Sequence, residues 1–186
     1  PNFSPPLLSL LLSNLAACYL KLGRTADAEI SSRAATITDP SNPRGHGRHA
    51  ESILAGIEAG RTPSTPSDSI SLYGEKDAEG NTIDDVVRAY ERGVEVLASS
   101  ISNNKSDEPK RKKDRALHAS YNKALKIATK RRDDATEKMK NETIDKMKDL
   151  GNSFLSNFGM SLDNFKATKD PATGGYSINF NQGGGS

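Results

Sequence analysis

The stretch LLSNLAACYLKLGRTADAEISSRAATITDP, Leu11–Pro40, decides the fold of this chain. Its apolar residues recur at intervals of three and four, which is the spacing of one helix face. Gly23 interrupts the pattern and Asp39-Pro40 ends it, because glycine closes helices and the residue before a proline is disfavoured in the helical region. The stretch therefore predicts two helices, over residues 7–22 and 26–37, joined as a hairpin.

This hairpin resembles a tetratricopeptide repeat, a helix–turn–helix unit of about 34 residues. Its alanines predict a close approach of the two helices, with larger side chains and the single cysteine filling the gaps between them. Ser32 departs from the repeat pattern, since a large residue is usual there. The matching positions are Leu12, Leu15, Ala16, Tyr19, Gly23, Ala28, Ala35 and Pro40.

A second repeat is expected from residue 43, where Asn42 and Pro43 predict a helix start. This helix ends at Gly60, and its partner resumes only near Ile83. The Ser/Thr/Pro/Gly-rich residues 61–82 predict a flexible insertion between the two. The repeats thus occupy residues 1–100. A linker over 101–109, a long charged helix over 110–158 that caps the stack, and an extended tail over 159–186 complete the predicted all-α solenoid fragment.

The last forty residues carry a more specific resemblance. They contain KDLGN, then FG, NF and YSINF, in the order found in the tetratricopeptide repeat protein 1 family, which the chain resembles. The resemblance implies a cytoplasmic adaptor or co-chaperone that binds the acidic C-terminal tails of heat-shock chaperones, with a further link to G-protein alpha subunits. It also implies that a first repeat is missing, so we expect the chain to be truncated at its N-terminus.

The same resemblance implies a site for a peptide carboxylate. Chaperone-binding repeats use an asparagine at position six of one repeat and basic residues at positions two and six of the next, which here are Asn14, Arg44 and Arg48. Arg44 and Arg48 are four residues apart and share one side of a helix, and arginine binds carboxylates in a bidentate manner. The alternative is that both arginines are merely solvated.

The C-terminal YSINF alternates apolar and polar residues, which predicts a short strand or an extended docking segment. Tyr176, Ile178 and Phe180 would be its buried or partner-binding side chains. Two interpretations are open. The segment folds back as a strap on the solenoid, or it binds a second partner.

The stretch RGHGRHA, Arg44–Ala50, at first suggests a metal or phosphate site. His46 and His49 are three residues apart, but only His118 is available as a third histidine. We therefore expect two surface histidines and no metal. A phosphate loop would need a preceding strand and a Gly-Lys-Ser/Thr end, and neither is present. The chain also has no recognisable nucleophile with an oriented base, so we expect neither an enzyme nor a cofactor.

Charge is unevenly distributed along the chain. Residues 51–100 contain ten acids and four bases, whereas residues 105–150 contain fifteen bases and nine acids. The basic run Lys110–Arg115 suggests nucleic acid or a nuclear address, but without interleaved aromatic residues a solvated helix start is favoured, and nucleic acid is not expected as a partner. A nucleic-acid- or ribosome-associated factor acting through residues 110–140, and a purely structural repeat subunit, stay open as alternative functions.

Two further observations concern the compartment. The apolar run PPLLSLLLSNLAACYL is shorter than the roughly 20 residues that cross a bilayer, so no membrane contact is expected. The single cysteine, Cys18, excludes an internal disulfide framework and fits a reducing compartment. Both agree with the cytoplasmic location that the family resemblance implies.

Overall fold

The computed structural model describes residues 4–60, 83–104, 106–157, 160–162, 165–169 and 176–180. The insertion predicted at 61–82 lies outside them. The described elements are five helices, α1 Pro5–Lys21, α2 Thr25–Thr38, α3 Pro43–Glu58, α4 Ile83–Asn103 and α5 Glu108–Ser156, and two strands, β1 Phe165–Lys169 and β2 Tyr176–Phe180. The chain divides into two compact units, Pro1–Asp133 and Asp134–Ser186. The predicted all-α fold with a long C-terminal helix is confirmed.

The helix ends follow the signals in the sequence. Gly23 and Gly60, which close α1 and α3, adopt φ angles of 70° and 75° that favour glycine. The linker predicted over 101–109 is shorter than expected, because α4 continues to Asn103 and α5 already begins at Glu108. The reason is local capping: the Asp107 side chain accepts a hydrogen bond from the Lys110 backbone N–H at 3.0 Å and so starts α5 early.

The α1–α2 hairpin is packed through small residues. Ala16, Ala28 and Ala35 are fully buried, as predicted. Ser9 and Ser13 of α1 are buried beside them, and the Ser9 hydroxyl donates to the Ala35 carbonyl oxygen at 2.7 Å. A serine satisfies its own hydroxyl on the neighbouring backbone and lets the two helices approach closely.

Larger side chains do not fill this interface, which corrects the prediction. Leu15 is 42% exposed and Ile37 is 61% exposed, although both belong to the predicted apolar pattern. Cys18 is exposed as well. The tight serine and alanine contact leaves no space for these side chains between α1 and α2.

The two histidines of RGHGRHA lie at different contacts of α3: His49 lies in a polar α2–α3 interface, and His46 lies between the α2–α3 loop and Gly93 of α4. His46 and His49 are buried, so the prediction of two surface histidines is wrong. The His46 Nε2 donates to the Pro40 carbonyl oxygen at 2.9 Å. The His49 Nδ1 lies 3.4 Å from the hydroxyl of the fully buried Ser32, and the hydroxyls of Ser32 and Ser52 are 3.1 Å apart. The His49 ring therefore lies against the small residue found where the repeat pattern usually has a large one.

Helix α5 docks on α3 and α4 through Tyr121. The Tyr121 ring is buried, its hydroxyl donates to the Pro43 carbonyl oxygen at 3.2 Å, and its centroid lies 5.7 Å from that of Tyr90 in an edge-on arrangement. The ring occupies a slot between Gly47 and Gly93. A Cβ atom on Gly47 would overlap the tyrosine hydroxyl, and one on Gly93 would lie 3.0 Å from the ring. The second glycine of RGHGRHA thus makes room for an aromatic side chain.

The second unit contains the end of α5 and a β-hairpin. The Leu162 backbone N–H donates to the Asn152 side-chain oxygen at 2.7 Å, and a Cβ on Gly151 would lie 2.7 Å from the Leu162 side chain. Strands β1 and β2 pair antiparallel, with Phe165 opposite Phe180. The strand predicted at YSINF is confirmed, whereas β1 was not predicted, so this part of the tail is more regular than expected. The side chains of Tyr176, Ile178 and Phe180 lie outside the described residues, and both interpretations of this segment stay predictions.

Gly47→Ala tests the tyrosine slot. The added methyl group displaces the Tyr121 ring, and overpacking of this kind costs about 1–3 kcal/mol, more than the roughly 1 kcal/mol that alanine gains in a helix. We expect a lower free energy of unfolding in urea. The matched control is Gly45→Ala, whose Cβ would make only ordinary contacts, 3.4 Å or longer, with Ala35 and Thr36. This variant should be as stable as the wild type or more so. Equal destabilisation of both variants would contradict the slot.

The buried histidines predict acid sensitivity. Burial, with a contribution from Arg33, lowers the pKa of His49 to about 4, and burial also lowers the pKa of His46. The unfolded chain, with ordinary values near 6.5, therefore binds more protons than the folded chain between pH 6.5 and 4, and stability falls as the pH decreases through this window. His49 alone should cost about 2 kcal/mol between pH 7 and pH 5. Urea unfolding at both pH values measures it. His49→Gln should reduce the pH dependence, and His118→Gln, outside this interface, should leave it as in the wild type.

Candidate functional site

A groove opens between the N-terminal ends of α3 and α5, beside α1. It has a volume of about 560 Å³. It combines apolar side chains from all three helices with charged and polar side chains from the starts of α3 and α5, as is usual for ligand sites. Its lining residues are Leu10, Asn42, Pro43, Arg44, Lys113, Asp114, Ala116, Leu117 and Ser120.

Asn42 fixes the first turn of α3 beside α1. Its side-chain oxygen accepts a hydrogen bond from the Arg44 backbone N–H at 3.1 Å, so it caps α3 as predicted. Its amide group donates to the Ser9 and Ser13 hydroxyls at 2.8 and 3.1 Å. The residue that starts the helix is therefore tied to α1, and it holds the backbone from which Arg44 extends.

Two cations line the groove. The side chains of Arg44 and Lys113 are exposed, and neither forms an ion pair within the part of the chain that the structure describes. The one acid of the lining, Asp114, accepts a hydrogen bond from the Ser100 hydroxyl at 2.7 Å. The groove therefore carries one positive charge in excess, and its two cationic side chains are available to an anionic ligand.

The structure places the three predicted carboxylate ligands differently. Arg44 lines the groove, whereas Asn14 and Arg48 are not among its lining residues. Asn14 is exposed on α1, and the Arg48 guanidinium forms an ion pair with Glu51 one turn further along α3. These two positions stay predictions, because no observation tests whether they bind a ligand.

Lys113 and Asn42 are groove residues that the sequence did not reveal as such. Lys113 belongs to the basic run Lys110–Arg115, but its place near Arg44 depends on how α5 docks. Tyr121 sets that place: it lies eight residues, or about 12 Å, further along the same helix and is bonded to Pro43. The Asn-Pro pair predicts that Asn42 caps α3, but it does not predict the hydrogen bonds from Asn42 to α1.

The groove also offers aliphatic contacts. Leu10 is 36% exposed, and Leu117 packs on the edge of the core formed by α3, α4 and α5. Among the described residues there is no group of three or more side chains that could hold a metal ion. No helix in the same residues is long and apolar enough to cross a membrane.

No family model matches the chain. The resemblance to a tetratricopeptide repeat therefore stays a prediction from the residue pattern of the first hairpin and the C-terminal motifs.

Substitution of Asn42 separates its two roles. Asn42→Ala removes both the helix cap and the amide bonds to α1, and should lower the free energy of unfolding by about 1–2 kcal/mol. Asn42→Ser keeps an oxygen that caps α3 but loses the amide, and should fall between alanine and wild type. Urea unfolding of the three proteins checks the order. Equal stability of the alanine variant and the wild type would show that neither role matters.

Proposed function

We propose that this chain is a cytoplasmic adaptor of the tetratricopeptide repeat type that captures the acidic C-terminal tail of a heat-shock chaperone. The observation that carries the proposal is the pair of cations, Arg44 and Lys113, at an apolar groove of peptide-binding size. Recognition, and no chemical conversion, is the role that such a groove supports. The adaptor would hold a client or signalling protein at the same time.

The two cations differ in what they offer. An arginine guanidinium binds a carboxylate through two parallel hydrogen bonds, so we assign Arg44 to the terminal carboxylate of the peptide. Lysine is a flexible point charge, and we assign Lys113 to an acidic side chain of the same peptide. The aliphatic carbons of the peptide would pack on Leu10 and Leu117. Asn14 is a further donor for the part of the peptide that extends along α1.

Arg48 contributes less in this proposal than the family resemblance implies. Its guanidinium is engaged with Glu51, so binding a peptide carboxylate would first require that ion pair to open. The gain from the new contact is then offset by the loss of the old one. We therefore rank Arg44 and Lys113 above Arg48 as determinants of affinity.

The C-terminal hairpin is the proposed contact for a second partner. We assign Tyr176, Ile178 and Phe180 of β2 to this contact, with a G-protein alpha subunit as the partner that the resemblance implies. A two-stranded hairpin is marginally stable by itself and gains from further packing. Truncation before β1, followed by pull-down with a purified G-protein alpha subunit, separates this function from capture of the chaperone tail.

Calorimetric titration with a peptide ending Glu-Glu-Val-Asp tests the groove. Arg44→Ala should weaken binding by roughly 10- to 100-fold, because a hydrogen bond to a charged group contributes about 1.5–3 kcal/mol. Lys113→Ala should weaken it by a smaller factor. Arg48→Ala is the matched control, and we expect less than a twofold change. The same peptide with an amidated C-terminus should bind the wild type as weakly as it binds Arg44→Ala.

Two results would contradict the proposal. The first is no measurable binding of the acidic peptide to the wild-type chain, which leaves a purely structural repeat subunit as the better description. The second is equal affinity for the free and the amidated peptide, which would show that the groove does not read the terminal carboxylate. Far-UV circular dichroism of each variant verifies that the helices are retained.

A further inference from the structure

The solvent-facing side of α5 carries a row of lysines. At 3.6 residues per turn, Lys112, Lys123, Lys126 and Lys130 fall within an arc of about 60° on the helix surface. All four are exposed. The row, which we call the lysine stripe, rises through 18 steps of the helix from Lys112 to Lys130 and is therefore about 27 Å long.

Acidic side chains do not neutralise the stripe. No ion pair or hydrogen bond involves these four lysines in the described ranges of the chain. The arginines of the same helix behave differently: Arg111 and Arg115 are paired with Glu108, and Arg131 is paired with Glu58. The two arginines of the basic run Lys110–Arg115 are thus neutralised within the fold, whereas the lysines of the stripe are not.

The stripe is rigid because the opposite side of α5 is anchored. Tyr121 lies about 180° around the helix from Lys112. It is buried with Ala128, and Leu117, Ala124 and Leu125 pack on the same core. The lysine backbones are therefore held in line before any ligand arrives, so binding requires ordering only of the lysine side chains.

We propose that the lysine stripe binds the phosphate backbone of a nucleic-acid duplex. A duplex carries one negative charge per about 1.7 Å of its axis, whereas an extended acidic peptide carries at most one per residue, or about 3.3 Å. The lysines stand about 16.5, 4.5 and 6 Å apart along α5. A duplex presents phosphates along its whole length, so each of these unevenly spaced lysines finds an anion, whereas a peptide would need acidic residues at matching positions. A length of 27 Å corresponds to about eight base pairs.

The surroundings of the stripe limit the contact to the backbone. The residues between the lysines on this face include Ala116 and Ala119, and no aromatic side chain is present there to stack on unpaired bases. Because helix α5 packs on α3 and α4 along its other side, it cannot insert into a groove of the duplex as an isolated helix would. Binding is therefore independent of sequence, and RNA and DNA duplexes bind alike.

A membrane surface fits the stripe less well. Helices that lie on a membrane bury a continuous apolar face among the lipids. The apolar face of α5 is directed into the protein core instead, and Ile127 is the one large apolar side chain exposed beside the stripe in the described residues 112–130. Anionic vesicles are therefore a competing ligand to be tested, not the expected one.

Fluorescence anisotropy with 16-base-pair RNA and DNA duplexes tests the proposal. In titrations between 50 and 200 mM KCl, four neutralised phosphates predict a slope of log K against log salt of about −3.6 for the DNA duplex. Simultaneous Lys→Gln substitution at 112, 123, 126 and 130 should bring the slope close to zero and weaken binding more than tenfold at 50 mM KCl. The single variant Lys123→Gln should reduce the slope by about 1.

The matched control changes the same number of lysines elsewhere on the same helix. Lys→Gln substitution at 138, 140, 146 and 148 alters the net charge equally and should change duplex affinity less than twofold. An equal loss in both quadruple variants would attribute binding to net charge and overturn the proposal. Binding to anionic phosphatidylserine vesicles without binding to either duplex would also overturn it. Arg44→Ala should weaken duplex binding far less than the quadruple stripe variant does, so failure of the peptide groove and failure of the stripe can be told apart.

Discussion

The insertion of Tyr121 between Gly47 and Gly93 is the contact on which the rest of the first unit depends. Its ring can approach two helix backbones at once only because neither glycine carries a Cβ, and its hydroxyl closes the contact by donating to the Pro43 carbonyl oxygen. Burial raises the pKa of this hydroxyl, so it stays protonated and keeps donating. Together with Leu117, Ala124, Leu125 and Ala128, which belong to or pack on the same core, this side chain fixes the rotation of α5 about its own axis. Lys113 consequently lies at the groove beside Arg44, and the lysine stripe faces away from the core.

The packing upstream of this contact follows a different physical rule. Serines, alanines and histidines fill the interfaces of α1, α2 and α3, while leucines of α1 and isoleucines of α2 remain exposed. Such an interface gains less from apolar burial and more from close approach and satisfied hydrogen bonds, because each small side chain removes little surface from water. Its stability depends on His49 staying neutral between Ser32 and Ser52. A polar interface of this kind is also sensitive to pH, which an aliphatic one is not.

The parts of this structure that were predictable are those with local signals. Helix spacing, the closing glycines, the Asn42 cap and the small residues Ala16, Ala28 and Ala35 are each encoded within a few neighbouring positions. The failures required knowledge of partners far along the chain. Gly47 is an unfavourable helix residue by local criteria, and its role depends on Tyr121, which lies 74 positions later in the chain. The sequence likewise indicates surface positions for His46 and His49, because their partners Pro40 and Ser32 belong to another part of the fold. Strand β1 also has a local signal, because the turn-forming residues DPATGG lie between two alternating segments, which is typical of a hairpin.

The two proposed surfaces lie close enough to influence each other. Lys112 of the stripe and Lys113 of the groove are consecutive residues on one helix, and a helix is only about 10–12 Å across. The Debye length is about 10 Å at 0.1 M ionic strength, so a duplex held by the stripe would still repel an acidic peptide entering the groove. The repulsion is reciprocal, since coupling between two binding sites lowers both affinities by the same factor. The proposed adaptor would therefore favour one anionic partner at a time at low salt. Added salt screens the repulsion between the two ligands, so at high salt both could bind together.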